Sequence, residues 1–292
     1  MRALVTGADG MLGSALLPLL EKDGYETFPT DIVLLNPKTQ HLDIRDQDKI
    51  KSYVNMVSPQ IIFHLAAETN VDKCELENKH AYTTNALGTK NIALVCKEND
   101  IIMVYISTCG VFDGKKGAPY TELDIPNPIS VYTRSKFEGE KVVEGLLKKY
   151  FIFRAGWMMG GGKKDKKFIV KIVELTKTKN ILTVVDDKRG CPTFTKDFSA
   201  GIIKIVKLGR YGLFHLTNKG SATRYDIACK IVEYLGRDDI GVKPISSKDF
   251  PLPAPRPDSE VVDTQKIEQL NINMRPWEEA LKEYLEELIE EK

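Results

Sequence analysis

The chain has 292 residues, 42% of them hydrophobic and 28% charged, and carries a formal net charge of +1. That length supports a full core and an added lobe, and the near-neutral balance excludes a broad nucleic-acid-binding surface. No stretch approaches the ~20 apolar residues of a membrane span, the four histidines are isolated, and the five cysteines are scattered without a CxxC. These features predict no membrane contact, no zinc site, and reduced thiols in a cytoplasmic protein without a signal peptide; no metal ligands are assigned, and the sequence leaves a divalent-ion requirement open.

The opening run Met1–Thr6 reads as a buried strand, Gly7-Ala8-Asp9-Gly10-Met11-Leu12-Gly13 as a tight turn, and Leu12, Leu16, Leu17 and Leu20 as one face of a helix. Glycines at such a turn let the backbone approach a pyrophosphate, which then sits on the positive end of the helix dipole. The turn therefore predicts a dinucleotide, with Gly7, Asp9, Gly10, Met11, Leu12 and Gly13 around it. A second strand, Tyr25–Thr30, ends at Asp31, near the spacing expected of an acid that holds the adenosine ribose. A carboxylate there repels a 2′-phosphate and favours NADH over NADPH; the nearest cation for the phosphate form is Lys38.

Farther on, Ile101–Ile106 reads as a buried strand that delivers Ser107-Thr108 to its C-terminal end, where open parallel sheets keep their ligand crevice. Tyr132 and Lys136 lie four apart in a helical stretch from about Val131 to Lys148 and so share a face. A tyrosine that gives and takes a proton near neutrality needs a cation beside it, and Lys136 supplies one. Thr108, Tyr132 and Lys136 form the predicted catalytic group, and with the glycine turn they specify a nicotinamide site.

Strands and helices alternate from residue 1 to about Phe153, the pattern of a Rossmann-type, doubly wound parallel α/β sheet. The dinucleotide domain is placed at residues 1–156, joined by a returning strand at about 212–217. Residues 157–292 supply a smaller, interleaved substrate lobe with a strand at Leu182–Val185 and helices near Lys196–Lys207 and Thr223–Leu235. Trp277, Leu281, Tyr284, Leu285 and Leu288 share one face of a last helix, which packs either on the lobe or on a second copy of the chain in a homodimer. The run Lys163-Lys164-Asp165-Lys166-Lys167 is either solvated or closes over a diphosphate. Arg256, in the stiff Pro251–Pro257 segment, presents its guanidinium to the diphosphate of a sugar nucleotide.

Across nearly its whole length the chain resembles the extended short-chain dehydrogenase/reductase superfamily, and within it the dTDP-4-dehydrorhamnose reductase family. The resemblance is carried by Thr6–Gly13, Ala66–Glu75, Ser107-Thr108 with Val111–Gly114, Tyr132–Lys136, Arg154–Trp157, Pro192-Thr193 and Arg256-Pro257. It implies that Tyr132 donates a proton, that Lys136 holds the nicotinamide ribose, and that Thr108 bonds the sugar oxygen. It further implies that Val71, Cys109 and Trp157 face the sugar, that Asp43 and Ile44 meet the adenine, and that Ala66, Ala67 and Thr69 pass under the cofactor. Asn85 matches a superfamily asparagine behind the site, either catalytic or satisfied by backbone. The implied reaction is reduction, by NADH or NADPH, of the C4 ketone of a nucleotide-linked 6-deoxysugar.

The chain departs from that pattern after Thr108, where Cys109 and Gly110 replace the usual aspartate and aromatic residue. Cys109 reads as a small filler. The pair also lacks the acids that a 4,6-dehydratase needs for elimination. Two alternatives stand beside the reductase: an NAD-dependent nucleotide-sugar epimerase, and a non-catalytic regulatory subunit resembling the β subunit of methionine adenosyltransferase.

Overall fold

A computed structural model describes residues 1–162, 165 and 168–290. In chain order its strands are β1 (Arg2–Thr6), β2 (Glu26–Asp31), β3 (Gln40–His41), β4 (Ile61–His64), β5 (Ile102–Thr108), β6 (Tyr150–Ala155), β7 (Trp157–Met159), β8 (Ile181–Val185), β9 (Arg189–Gly190), β10 (Pro192–Phe194), β11 (Gly212–His215), β12 (Ala222–Thr223) and β13 (Gly241–Ile245). The helices are α1 (Met11–Lys22), α2 (Gln47–Val57), α3 (Val71–Leu76), α4 (Asn78–Tyr82), α5 (Gly88–Glu98), α6 (Val131–Leu146), α7 (Phe168–Leu175), α8 (Thr195–Lys207), α9 (Arg224–Tyr234), α10 (Gln265–Glu268) and α11 (Trp277–Glu290).

Seven strands form one sheet in the order β11-β6-β5-β4-β1-β2-β3, and every neighbouring pair is parallel. The chain runs outward from β1 to β3 on one side and from β4 to β11 on the other, so the strand order reverses between β1 and β4. That reversal opens the ligand crevice at the C-terminal ends of the strands. Alternate residues of β1 feed the two faces: Ala3 and Val5 pack with Leu12, Leu16 and Leu20 of α1 and with Phe198 and Ile202 of α8, while Leu4 packs with Ile50, Ile92 and Val143 of α2, α5 and α6. Burial on both faces explains why β1, β4 and β5 read as continuous apolar runs.

The Gly212–His215 segment enters this sheet beside β6, as its four-residue apolar pattern predicts. A second core holds Met159, Ile169, Leu182, Val184, Ile227 and Ile231 together with Trp277, Leu281, Tyr284 and Leu285 of α11. The apolar face of α11 is therefore covered by its own lobe. Lys163, Lys164, Lys166 and Lys167 of the charged run lie outside the described residues; Asp165 is buried and accepts from the Tyr284 hydroxyl at 3.0 Å. No helix among the described residues is long and apolar enough to cross a membrane.

Candidate active site

A cavity of about 1380 Å³ runs from the glycine turn, past the ends of β4 and β5, to the lobe. Gly7, Gly10, Met11, Leu12, Asp31, Asp43, Ile44, Ala66, Ala67 and Thr69 line it on the cofactor side, and Thr108, Tyr132 and Lys136 stand at its middle. Val71, Trp157 and Arg256 line the lobe side. Sequence-distant residues thus converge on one space.

Three predicted site residues stand outside that lining. Asp9 is buried, and its carboxylate accepts from the backbone N–H of Leu35 at 2.8 Å and of Asn36 at 3.2 Å, so it braces a loop instead of meeting a ligand. Gly13 lies one turn into α1, where a Cβ would come within 2.3 Å of the Ala8 carbonyl; its role is helix packing. Cys109 points into a small core with Val111, Phe112 and Cys191, and its thiol, pushed up by burial, donates to the Arg154 carbonyl at 3.6 Å. It does not face a sugar.

The remaining features fit a dinucleotide. Gly7 has φ +68, and a Cβ there would stand 2.7 Å from the Ala66 backbone nitrogen, so β1 and β4 come close only because position 7 carries no side chain. Gly10 is the N-cap of α1 and makes no side-chain cap bond, which leaves the first-turn N–H groups to a phosphate. Ser107 Oγ and Thr84 Oγ1 are buried at the cavity wall with no hydrogen-bond partner among the described residues. Buried hydroxyls of that kind normally have a partner, and both of these stand at the cavity wall.

Helix α6 starts with a capping box: the Ser130 side chain accepts from Thr133 N–H while Thr133 Oγ1 accepts from Ser130 N–H. This fixes the first turn, and with it Tyr132. Burial pushes the Tyr132 hydroxyl above the ordinary tyrosine value, so its proton stays on. Lys136 is buried, its Nζ lying 4.2 Å from the centre of the Tyr105 ring, and the Tyr105 hydroxyl donates to the Lys136 carbonyl at 3.0 Å. Burial pushes the Lys136 ammonium down to about 7, against the opposing pull of the Glu140 carboxylate.

A lysine depressed from 10.5 to about 7 keeps its proton longer in the unfolded chain than in the fold, so stability rises with pH above 7. Between pH 7 and 9 the ligand-free protein should gain roughly 2 kcal/mol relative to Lys136→Met, because each pKa unit is worth about 1.4 kcal/mol. Urea denaturation of both proteins at the two pH values checks this. Parallel profiles would contradict it.

Asn85 sits in a π-helical turn, Thr83–Leu87, between α4 and α5. Its Oδ1 accepts from Glu68 N–H at 2.8 Å, and its Nδ2 donates to the Glu68 carbonyl at 3.1 Å and to Ser135 Oγ at 3.0 Å. Asn85 therefore ties the Ala66–Thr69 segment to α6 and is satisfied by those bonds. Arg256 donates to Asp72 at 3.0 Å and to the Ala254 carbonyl at 2.8 Å, which holds its guanidinium at the cavity edge. Two lobe residues with no sequence signal also reach the cavity: Arg224, whose guanidinium lies 4.1 Å above the Trp157 ring, and Glu260, which accepts from Trp157.

A family model described as the RmlD substrate binding domain matches residues 1–290. The chain is 34% identical to the dTDP-4-dehydrorhamnose reductase of Aggregatibacter actinomycetemcomitans over 96% of this chain and 97% of that one. The chain belongs to the dTDP-4-dehydrorhamnose reductase family. Among solved structures, the dTDP-4-dehydrorhamnose reductase of Clostridium acetobutylicum is similar with a TM-score of 0.92 at 38% identity, covering 99% of both chains. That of Bacillus anthracis, solved in complex with NADP, has a TM-score of 0.90 at 35% identity and covers 98% of this chain and 99% of that one. Membership in the reductase family places the change at Cys109-Gly110 in a site whose Tyr132, Lys136 and Thr108 are intact.

Proposed function

We propose that this chain reduces the C4 ketone of a nucleotide-linked 6-deoxysugar, with dTDP-4-dehydrorhamnose as the first substrate to test. The observation that carries the reading is the meeting of Tyr132, Lys136 and Thr108 at the junction of the glycine-turn cavity with the lobe. Reduced nicotinamide, when bound, supplies the hydride. Gly7, Gly10 and the start of α1 hold its pyrophosphate, and Lys136 holds its ribose.

Reduction leaves negative charge on the sugar oxygen, and the chain's task is to receive that charge. Thr108 Oγ1 already accepts from Gly110 N–H at 3.1 Å, so its own hydrogen is free to point at the ketone oxygen. Tyr132, held protonated by burial, gives its proton to the same oxygen as the alkoxide forms. The Lys136 cation then stabilises the resulting phenolate until solvent reprotonates it. Arg256 and Arg224 line the lobe side of the cavity and hold the diphosphate.

Loss of absorbance at the reduced-nicotinamide band on adding dTDP-4-dehydro-6-deoxy-L-mannose tests the reading, and no loss with either cofactor would overturn it. The cofactor choice has its own test. The Asp31 carboxylate is fixed by N–H groups of Asp9 at 3.0 Å, Ile32 at 2.7 Å and Val33 at 3.1 Å. Arg45, a candidate to neutralise a 2′-phosphate, is held on Asp43 by bonds of 2.6–3.0 Å. The chain should therefore prefer NADH. Asp31→Asn should shift the kcat/KM ratio toward NADPH by roughly tenfold, the size of one screened charge repulsion, and an unchanged ratio would refute this role for Asp31.

A further inference from the structure

Glu260 lines the cavity with Thr108, the buried Gly110 stands beside both, and the mechanism leaves Glu260 and Gly110 without a task. Gly110 is the middle residue of the turn Cys109–Val111 at the end of β5. A Cβ built on it would stand 2.9 Å from Thr133 Cγ2, 3.3 Å from Glu260 Oε2 and 3.4 Å from Thr108 Oγ1. The family resemblance expects an aromatic ring at this position. Here the Thr133 methyl and the Glu260 carboxylate occupy that space, and no side chain separates Glu260 from Thr108.

Glu260 is held in place on several sides. Its backbone N–H donates to the Arg189 carbonyl at 2.8 Å, the Trp157 side chain donates to its carboxylate, and Arg224 lies over the Trp157 ring. Gly190 lets the indole settle there, since a Cβ at 190 would lie 2.5 Å from its ring. Burial pushes the Glu260 carboxyl above the ordinary glutamate value, opposed by the Trp157 N–H and by the guanidiniums of Arg224 and Arg256, and its side chain lines the cavity wall as a hydrogen-bond acceptor.

We propose that Glu260 determines which sugar is taken, by accepting a hydrogen bond from the hydroxyl on the carbon next to the ketone. The inference rests on the reductase reading above. Thr108 Oγ1 and Glu260 Oε2 both lie within 3.4 Å of where a Cβ on Gly110 would stand, so the two groups are neighbours, and both residues line the cavity; a ring whose ketone oxygen meets Thr108 would bring its neighbouring substituent toward Glu260. In a 4-keto-6-deoxysugar one neighbour, C5, carries a methyl group and no hydroxyl. The hydroxyl that Glu260 meets is therefore on C3. An aromatic ring at position 110 would offer that hydroxyl no acceptor, whereas a carboxylate makes a charge-assisted bond and loses it when the hydroxyl is absent.

The test compares kcat/KM for dTDP-4-dehydro-6-deoxy-L-mannose and its 3-deoxy counterpart in the unmodified protein, Glu260→Gln and Glu260→Ala, with NADH binding followed by fluorescence to show that each variant is folded. The unmodified protein should prefer the hydroxylated sugar by about a hundredfold, the typical effect of losing a bond to a charged acceptor. In Glu260→Ala the preference should fall to within a few-fold, mainly through a higher KM for the hydroxylated sugar, and Glu260→Gln should keep part of it. A preference unchanged in Glu260→Ala, or reduction of both sugars equally well by the unmodified protein, overturns the inference and leaves the reductase reading standing. Turnover of neither sugar overturns both.

Discussion

Tyr132→Phe should lower kcat by about a thousandfold while leaving cofactor binding and the KM for the sugar within a few-fold. The substitution removes one oxygen and keeps the ring, whose packing with Cys74, Ala81 and Val131 is apolar. What is lost is a hydroxyl that its surroundings hold protonated, four residues before Lys136 on α6. A positioned general acid contributes about 10²–10⁴ in rate, and an interaction made only as charge develops appears in kcat and not in KM. Steady-state kinetics with both substrates varied checks this. A variant with more than a tenth of the original kcat would remove Tyr132 from the proton step.

The second large effect concerns the support beneath the site. Glu140 lies four residues beyond Lys136 on α6 and is 1% exposed; Arg154 on β6 is 3% exposed. The two are bound at 2.9 Å through Nε and 2.6 Å through Nη2. Arg154 also stacks on Phe112 at 5.2 Å and donates to His215 Nε2 at 3.4 Å, and burial pushes that histidine down to about 3, which keeps it a neutral acceptor. Arg154→Leu leaves a carboxylate without its partner in the interior, and such single deletions cost about 3–5 kcal/mol. The double change Glu140→Leu with Arg154→Met should recover most of that loss, because it removes the stranded charge. Urea denaturation of the two variants beside the original protein checks this. An Arg154→Leu protein within 1 kcal/mol of the original would show that the pair is not needed for the fold.

How much of this was legible in the sequence depends on the range of the interaction. The glycine turn and Ser107-Thr108 are local patterns that stand at the C-terminal ends of β1 and β5, and the four-residue spacing of Tyr132 and Lys136 is a local pattern that stands on helix α6. Arg154 was visible as part of a motif, yet its pairing with Glu140 depends on how α6 lies against β6. Asp9 illustrates the opposite error: it belongs to the glycine turn, but its short side chain is used by the backbone of the next loop. Cys109 follows Thr108 directly, and the turn that begins there sends its side chain under the sheet instead of into the cavity. Glu260 and Arg224 could not be found from spacing, because they reach the site from loop and helix-start positions far along the chain and meet at the Trp157 ring.

The same range argument explains Gly110. As a lone glycine after a strand it signals only a turn, and its meaning depends on Thr133 from α6 and Glu260 from the lobe closing on it. The α11 face was legible as apolar, and the cluster around Trp277, Leu281 and Tyr284 shows the lobe as what covers it.

The central claim is that hydride goes to C4 of the sugar while Tyr132 delivers the proton. It is tested most directly by supplying NADH deuterated at the nicotinamide C4 and reading the product by mass spectrometry and proton NMR. The account predicts one deuterium per sugar, located at C4, formed by the unmodified protein and about a thousandfold more slowly by Tyr132→Phe. Product that carries no deuterium at C4, or NADH that is oxidised without a labelled sugar, would contradict it.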